Sequence, residues 1–442
     1  MILEGYKGFK LTHGWIRKVI ELRRLLLIAI PVGAISGAGV AGLEYLCNGV
    51  LWNHINEWPL FWKLLSPIVG LLISGFLVSK LGLNSVGMLN EVVVHYHAPP
   101  ESVSLKEDSV KFAACVATVG LGASAGLGGP SQWLGARIAY HLRFAFSEKW
   151  KVIRGVTAQH TILIGAAAGV SAVFRAPLTG TLLALETPFS KDIEGTALLP
   201  ASIAAYVAHI THGLLLNNEP LLPFPHFESG AHFGNTVLAS ITIGVATGLI
   251  SRRFQRALSA FKRLMSDYTP VKKSLIGGVL TSATAYIAYL KFRETWTLQA
   301  GLPLAKTIFA GEYTGWKAAL LLILKIAAVC FTMGTTGVAG LLVVTLTVGS
   351  LIGAAIFPLV PGLDLQTTTA IAVCSYLAAN YNAPLAGIAL AAEWGGTGLL
   401  PEAWLSVVIA AWVGEGLANT PAKLRIRHKF FKTTNEEEKP QI

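Results

Sequence analysis

Two copies of one motif, set among long apolar runs, constrain this chain more than any other feature. Arg175-Ala176-Pro177-Leu178-Thr179-Gly180 is followed by Glu186, and Asn382-Ala383-Pro384-Leu385-Ala386-Gly387, 207 residues on, is followed by Glu393. Lys111-Phe112-Ala113-Ala114 likewise returns as Lys325-Ile326-Ala327-Ala328. In that register Gly126 falls on Gly340 and Gly135 on Gly349. Two motifs repeated in the same order imply a duplicated structural unit.

The apolar runs say where that unit resides. Residues 25–41, 60–78, 237–250, 275–290, 318–333 and 338–360 are almost uncharged, and several approach the ~20 residues that span a bilayer. Only 13% of the chain is charged and 53% is hydrophobic, where soluble domains carry about 25% charged residues. The 45 glycines and 20 prolines fit closely packed and interrupted helices. An all-α polytopic membrane protein is expected, with its substrate site at mid-membrane between the repeats.

The sharpest interruption is Gly126-Leu127-Gly128-Gly129-Pro130, followed by Ser131 and a helix-compatible run. Proline suits the first turn of a helix, and glycine lets the backbone approach a ligand closely. A helix that starts within a membrane presents unpaired N–H groups that lipid cannot satisfy. An anion can.

The formal charge of +11 is gathered in three places. Lys7, Lys10, Arg17, Lys18, Arg23 and Arg24 precede the first span. Arg252, Arg253, Arg256, Lys262, Arg263, Lys272 and Lys273 lie between spans, and Lys423, Arg425, Arg427, Lys429 and Lys432 lie in the tail. The positive-inside rule puts all three clusters, and so both termini, on the cytoplasmic side, and a cell (inner) membrane is the expected location. Each cluster flanks a span, so no nucleic-acid partner is expected. The expected divisions are a cytoplasmic segment 1–24, a first membrane repeat 25–216, an extracytoplasmic loop 217–235, a second repeat 236–420 and a tail 421–442. No cleaved signal peptide is expected.

Enzyme chemistry has no foothold. There is no H-E-x-x-H and no phosphate-binding loop, and no cofactor is expected. Cys47, Cys115, Cys330 and Cys374 are scattered without a C-x-x-C pair and read as small buried side chains. His95 and His97 do not share a helix face, so no metal site is assigned.

The paired A-P-L-[T/A]-G segments with their trailing glutamates, and the glycine-rich break before the first, resemble the CLC family of chloride channels and chloride/proton antiporters. Residues 166–178, Ala-Ala-Ala-Gly-Val-Ser-Ala-Val-Phe-Arg-Ala-Pro-Leu, carry the most specific likeness, which extends over roughly 25–420. The resemblance implies two inverted halves with broken, partly spanning helices. It implies a homodimer in a lipid bilayer with one pore per subunit, and chloride or a similar small anion as the transported species.

That family builds its anion site from three helix-starting motifs, and this chain departs from each. The G-S-G-I-P-E motif falls on Val86-Gly87-Met88-Leu89-Asn90-Glu91, which puts Gly87 at the anion-contacting serine and leaves Ser85 as a substitute. The G-[K/R]-E-G-P motif falls on Gly126-Leu127-Gly128-Gly129-Pro130, so Gly128 stands at the gating glutamate and Leu127 at the basic position. The G-x-F-x-P motif falls on Gly340-Leu341-Leu342-Val343-Val344. The pore tyrosine has no clear match; the nearest register offers Lys423. The internal proton-path acid is Thr187 here, preceded by Glu186.

A gating carboxylate links proton and anion movement because it occupies an anion position when charged and leaves it when protonated. Gly128 has neither charge nor bulk, and Thr187 removes the second acid. Passive, proton-uncoupled anion conduction is therefore expected. Backbone N–H groups of Gly128, Gly129 and Ser131 and those after Gly340 remain available to an anion. Hydroxyls of Ser85, Ser131, Thr345 and Thr347 are further donors, and Lys111, Arg137 and Arg175 are candidates to raise the local anion concentration. For the arginines the competing expectation is a helix-end or interfacial contact; for Glu186 and Glu393 it is a structural, hydrogen-bonded carboxylate. Two rival functions stand beside conduction: a proton-coupled antiporter with a relocated acid such as Glu186, and a non-conducting scaffold or sensor.

Overall fold

A computed structural model describes residues 2–80, 87–100, 102–149, 157–189, 192–216, 219–224, 233–360 and 362–418. The first half runs through α1 (Ile2–Glu44), a π-helical continuation at Tyr45–Trp52, α2 (Asn53–Asn56), α3 (Leu60–Lys80), α4 (Met88–His97), α5 (Leu105–Gly120), α6 (Gly128–Lys149), α7 (Ala158–Phe174), α8 (Pro177–Glu186) and α9 (Leu198–Leu215). The second runs through α10 (Phe233–Leu264), α11 (Pro270–Phe292), α12 (Leu302–Phe309), α13 (Trp316–Met333), α14 (Leu342–Ile356), α15 (Leu365–Tyr381) and α16 (Pro384–Ala418). No strand occurs among the described residues; the one β-type contact is an isolated antiparallel bridge between Gly126 and Gly340. The fold is all-α, as expected.

Eight segments among the described residues are long and apolar enough to cross a membrane. They include Leu60–Lys80, Thr236–Leu264, Pro270–Phe292, Trp316–Met333 and Leu342–Leu359, where the apolar runs lie. Large apolar side chains such as Leu214, Trp412 and Phe61 stand exposed on these helices, which suits contact with lipid. Residue 24 falls inside α1 and residue 235 inside α10, so neither expected division coincides with a break in the chain. Most of the loop 217–235 and the whole tail from 419, Lys423 included, lie outside the described residues.

The duplication is visible in the helix boundaries. α6 and α14 start 214 residues apart, and α8 and α16 start 207 apart. α7 and α15 end on Arg175 and Asn382, both left-handed at φ 56° and 52°. A left-handed residue stops a helix, and the following Ala-Pro starts the next one. Asparagine tolerates that conformation better than arginine. Arg175 is held in it by its guanidinium, which donates to the Glu219 carbonyl at 2.7 Å and pairs with Glu44 at 3.1 Å. α16 carries a kink of its own at Gly396, φ 70°, which separates the counterparts of α8 and α9.

α7 and α15 sit at the centre, with every residue of Thr161–Phe174 and of Thr367–Asn380 buried. A helix apolar all round belongs in such a position. α6 packs on α7 and α14 on α15, and the crossings are close because glycines form them. A Cβ on Gly135 would stand 2.1 Å from the Gly165 carbonyl oxygen, and one on Gly165 would stand 2.2 Å from that of Gly135. Without a large hydrophobic driving force between helices in lipid, such backbone approach supplies much of the attraction. The four cysteines are free and buried.

Candidate anion pathway

The loops that launch α6 and α14 meet each other. Gly126 donates its N–H to the Gly340 carbonyl at 2.9 Å, and Gly340 returns the bond to Gly126 at 2.9 Å. Behind this bridge Ser124 N–H donates to Thr332 Oγ1 at 3.1 Å, and Val338 N–H donates to Thr118 Oγ1 at 3.1 Å. Thr118 and Ser124 are the register mates of Thr332 and Val338, so the four groups form a two-fold pair of clasps. The antiparallel sense of the bridge is what two symmetry-related loops must adopt.

In α6 the first intrahelical bond runs from Ser131 N–H to the Leu127 carbonyl, and in α14 from Thr345 N–H to that of Leu341. The amides of Gly128 and Gly129, and those of Leu342 to Val344, precede these bonds and form the positive ends of the two helices. The tips abut. A Cβ on Gly340 would lie 2.3 Å from the Gly129 nitrogen, and one on Gly128 would lie 2.5 Å from the Leu342 Cβ. Gly128 therefore does not leave an open hole: Leu342, almost fully buried, fills the space a side chain there would take.

Of the candidate hydroxyls, Ser131 is fully buried and its Oγ has no partner. Gln132 Nε2 and Trp133 Nε1 beside it are also buried donors without an acceptor. Thr345 Oγ1 donates to the Leu342 carbonyl and Thr347 Oγ1 to that of Ala300. Gly87 is the N-cap of α4, with no side-chain cap, and Ser85 lies outside the described residues.

A cavity of about 50 Å³ opens beside the bridge, lined by Gly126, Leu127, Val343, Ala300, Gln299, Asn48 and Glu44 among others. A second, of about 460 Å³, lies at the start of α4 and is lined by Gly87, Asn90, Glu91, His95, Lys111 and Arg137 among others. Lys111 Nζ pairs with Glu91 at 2.8 Å, Arg137 pairs with Glu91 and, at 3.3 Å, with Asp108, and His141 approaches Asp108 at 3.1 Å. Both cations of this vestibule are thus matched by carboxylates. Arg175 stands apart from both, tied to Glu44, whose other oxygen meets His212 at 3.0 Å.

Glu186 and Glu393 are exchanged between the repeats. Glu186 accepts from Leu385 N–H at 3.0 Å and Ala386 N–H at 2.8 Å, at the start of α16. Glu393 accepts from Leu178 N–H at 2.6 Å, Thr179 N–H at 2.8 Å and Thr179 Oγ1 at 2.6 Å, at the start of α8. Each carboxylate neutralises the positive end of the other repeat's helix. Thr187 Oγ1 turns back to the Leu183 carbonyl.

Sequence reasoning missed Glu44 and the α12 start. Gly301 caps α12 in a left-handed conformation at φ 83°, and it is the register mate of Gly87. The signal was present: Gly301-Leu302-Pro303 is a second glycine-initiated helix start, found by extending the register that joins Lys111 to Lys325.

Comparison with known proteins places this geometry. The family model described as voltage gated chloride channel matches residues 70–415. An H(+)/Cl(-) exchange transporter of Klebsiella pneumoniae is 27% identical over 410 residues, covering 84% of this chain and 80% of its own. A chloride/fluoride channel protein of Pseudomonas syringae is 24% identical over 416 residues, covering 91% and 85%. Among solved structures, a CLC-type fluoride/proton antiporter superposes with a TM-score of 0.78 at 22% identity, over 91% of this chain and 98% of its own. A slow cyanobacterial Cl-/H+ antiporter does so with a TM-score of 0.78 at 18% identity, over 93% and 99%. At those identities the structures establish a shared fold.

Proposed function

The chain belongs to the voltage gated chloride channel family, and from that membership we propose that it conducts chloride or a similar small anion passively, without moving protons. The observation that carries this reading is Gly128, where no titratable group stands and Leu342 occupies the space. Glu186, a candidate for a relocated acid, is committed to the α16 amides, and Thr187 has no carboxyl group and donates its hydroxyl to the Leu183 carbonyl. Donors available to an anion include the helix-end amides beside the bridge, the unpartnered Ser131 hydroxyl and, beside it, Gln132 Nε2 and Trp133 Nε1.

The test is chloride efflux from liposomes holding purified protein, with external pH followed in parallel. Chloride efflux without proton uptake supports conduction. Proton uptake in fixed proportion to chloride contradicts it. Absence of flux for chloride, fluoride, bromide and nitrate favours the scaffold reading.

One observation favours coupled exchange as a second reading: Glu44 lines the cavity that touches Gly126 and Leu127. A carboxylate there could take the gating role from another helix. If so, Glu44→Gln abolishes proton movement while chloride flux continues. We also propose a homodimer in the inner membrane with both termini cytoplasmic. The basic residues that end α10, Lys262 and Arg263, support that orientation.

A further inference from the structure

Lys325 is a buried lysine of the membrane core that the conduction reading leaves unused. It lies on α13 and is fully buried. Its Nζ donates to three consecutive carbonyls, those of Thr297 at 3.0 Å, Leu298 at 3.4 Å and Gln299 at 2.5 Å. These satisfy its hydrogen bonds and supply no countercharge. Among the described residues no carboxylate forms an ion pair with it.

The repeat explains why. Lys111, its mate in the first half, faces Glu91 on α4 and pairs with it. The same register carries Glu91 onto Ala305 of α12, a buried methyl. The second half thus keeps the lysine and drops its acid. A buried cation without its counter-ion is unfavourable unless it gives up its proton or something supplies the missing charge, and the three carbonyls around Nζ match the three N–H donors of an ammonium.

The three carbonyls belong to the segment that walls the small cavity. Gln299 and Ala300 line it together with Gly126, Leu127 and Val343. The wall is braced on every side. Gln299 N–H donates to the Gly122 carbonyl at 3.1 Å, its Nε2 donates to Asn48 Oδ1 at 3.2 Å, and Thr347 Oγ1 holds the Ala300 carbonyl at 2.9 Å. Gly301 permits the approach, since a Cβ there would lie 3.2 Å from both Cε and Nζ of Lys325. The acid in the cavity wall, Glu44, already pairs with Arg175 and His212. Leu127 brings no charge. Lys325, bonded to the carbonyl of the wall residue Gln299, is thus a buried cation with no ion pair among the described residues.

We propose that Lys325 is the positioning cation of the anion pathway, holding the Gln299–Ala300 wall and favouring a halide in the cavity beside Gly126 as its countercharge. The role rests on the conduction reading and concerns the concentration at which the pathway fills, rather than whether it conducts. Charge in a low-dielectric interior acts over several ångströms.

The experiment measures chloride flux against chloride concentration in liposomes for the wild type, Lys325→Met, Lys325→Arg and Ala305→Glu. The half-saturating chloride concentration of Lys325→Met is expected to rise about tenfold or more, with the maximal rate much less affected. Lys325→Arg keeps the wild-type value. Ala305→Glu, which restores to the second half the acid that Lys111 has in the first, behaves like Lys325→Met. Should Lys325→Met not fold, Ala305→Glu gives the reading. Should neither fold, the melting temperature of the wild type in chloride is compared with that in gluconate, and a rise in chloride is expected. A wild-type chloride dependence in folded Lys325→Met or Ala305→Glu, or equal melting in the two salts, overturns the proposal. Wild-type protein that carries no chloride at all overturns the conduction reading instead.

Discussion

The Cβ of Leu342 stands 2.5 Å from the point where a side chain on Gly128 would begin. The two residues are register mates, each the first residue of its helix. One repeat gives up its side chain at this position and the other fills the space.

A glutamate at position 128 therefore conflicts with Leu342. Gly128→Glu alone is expected to destabilise the protein by about 1–3 kcal/mol, the usual cost of overpacking, and to reduce chloride flux. Gly128→Glu combined with Leu342→Ala has room for the carboxylate. Its flux is expected to fall as pH rises through the carboxylate titration, while wild-type flux stays flat. Flux measured between pH 4 and 8 in both proteins checks this; a flat profile in the double variant counts against the placement of the motif.

The exchanged carboxylates make the halves depend on each other. Glu186→Ala strips two amides at the start of α16 of their acceptor and is expected to cost about 2 kcal/mol. Glu393→Ala, which also orphans the Thr179 hydroxyl, is expected to cost at least as much. Thermal unfolding in detergent reads both. If proton exchange by the wild type is measured and Glu186→Gln removes it without lowering the melting temperature, Glu186 is a proton carrier and not a cap.

These two caps show how far the sequence was legible. The duplication and the break at Gly126 are local patterns of glycine, proline and apolar residues, and each lies where the pattern put it. The glutamates are harder. Each trails its own motif and looks like part of it, yet caps the helix of the other repeat. The same difficulty hid the partners of Arg137 and Arg175. Glu91 and Glu44 lie 46 and 131 residues from them, and nothing in a linear pattern joins such pairs. Leu342 entered only as the phenylalanine position of the third motif, because the space it fills depends on what Gly128 lacks.

Close helix crossing rests on Gly135 and Gly165. Gly135→Ala drives a methyl to 2.1 Å from the Gly165 carbonyl oxygen, and α6 must move away from α7. A loss of about 3 kcal/mol is expected. Melting temperature and yield of folded protein report it, and a neutral effect would mean that the two helices are not in backbone contact.

In the larger vestibule Glu91 balances two cations. Glu91→Gln leaves Lys111 and Arg137 short of one charge, with Asp108 still against Arg137. Removing one partner of a buried pair typically costs about 3–5 kcal/mol, less here because the group is partly exposed. The freed positive charge is expected to increase chloride flux at low chloride and to be screened by added salt. Flux at low and high ionic strength distinguishes this from simple loss of structure, which lowers flux at both.

The most direct test of the account is the ratio of protons to chloride moved by wild-type protein in liposomes under a chloride gradient. The account predicts chloride efflux with a proton count indistinguishable from protein-free vesicles. A fixed, non-zero ratio of protons to chloride would contradict it.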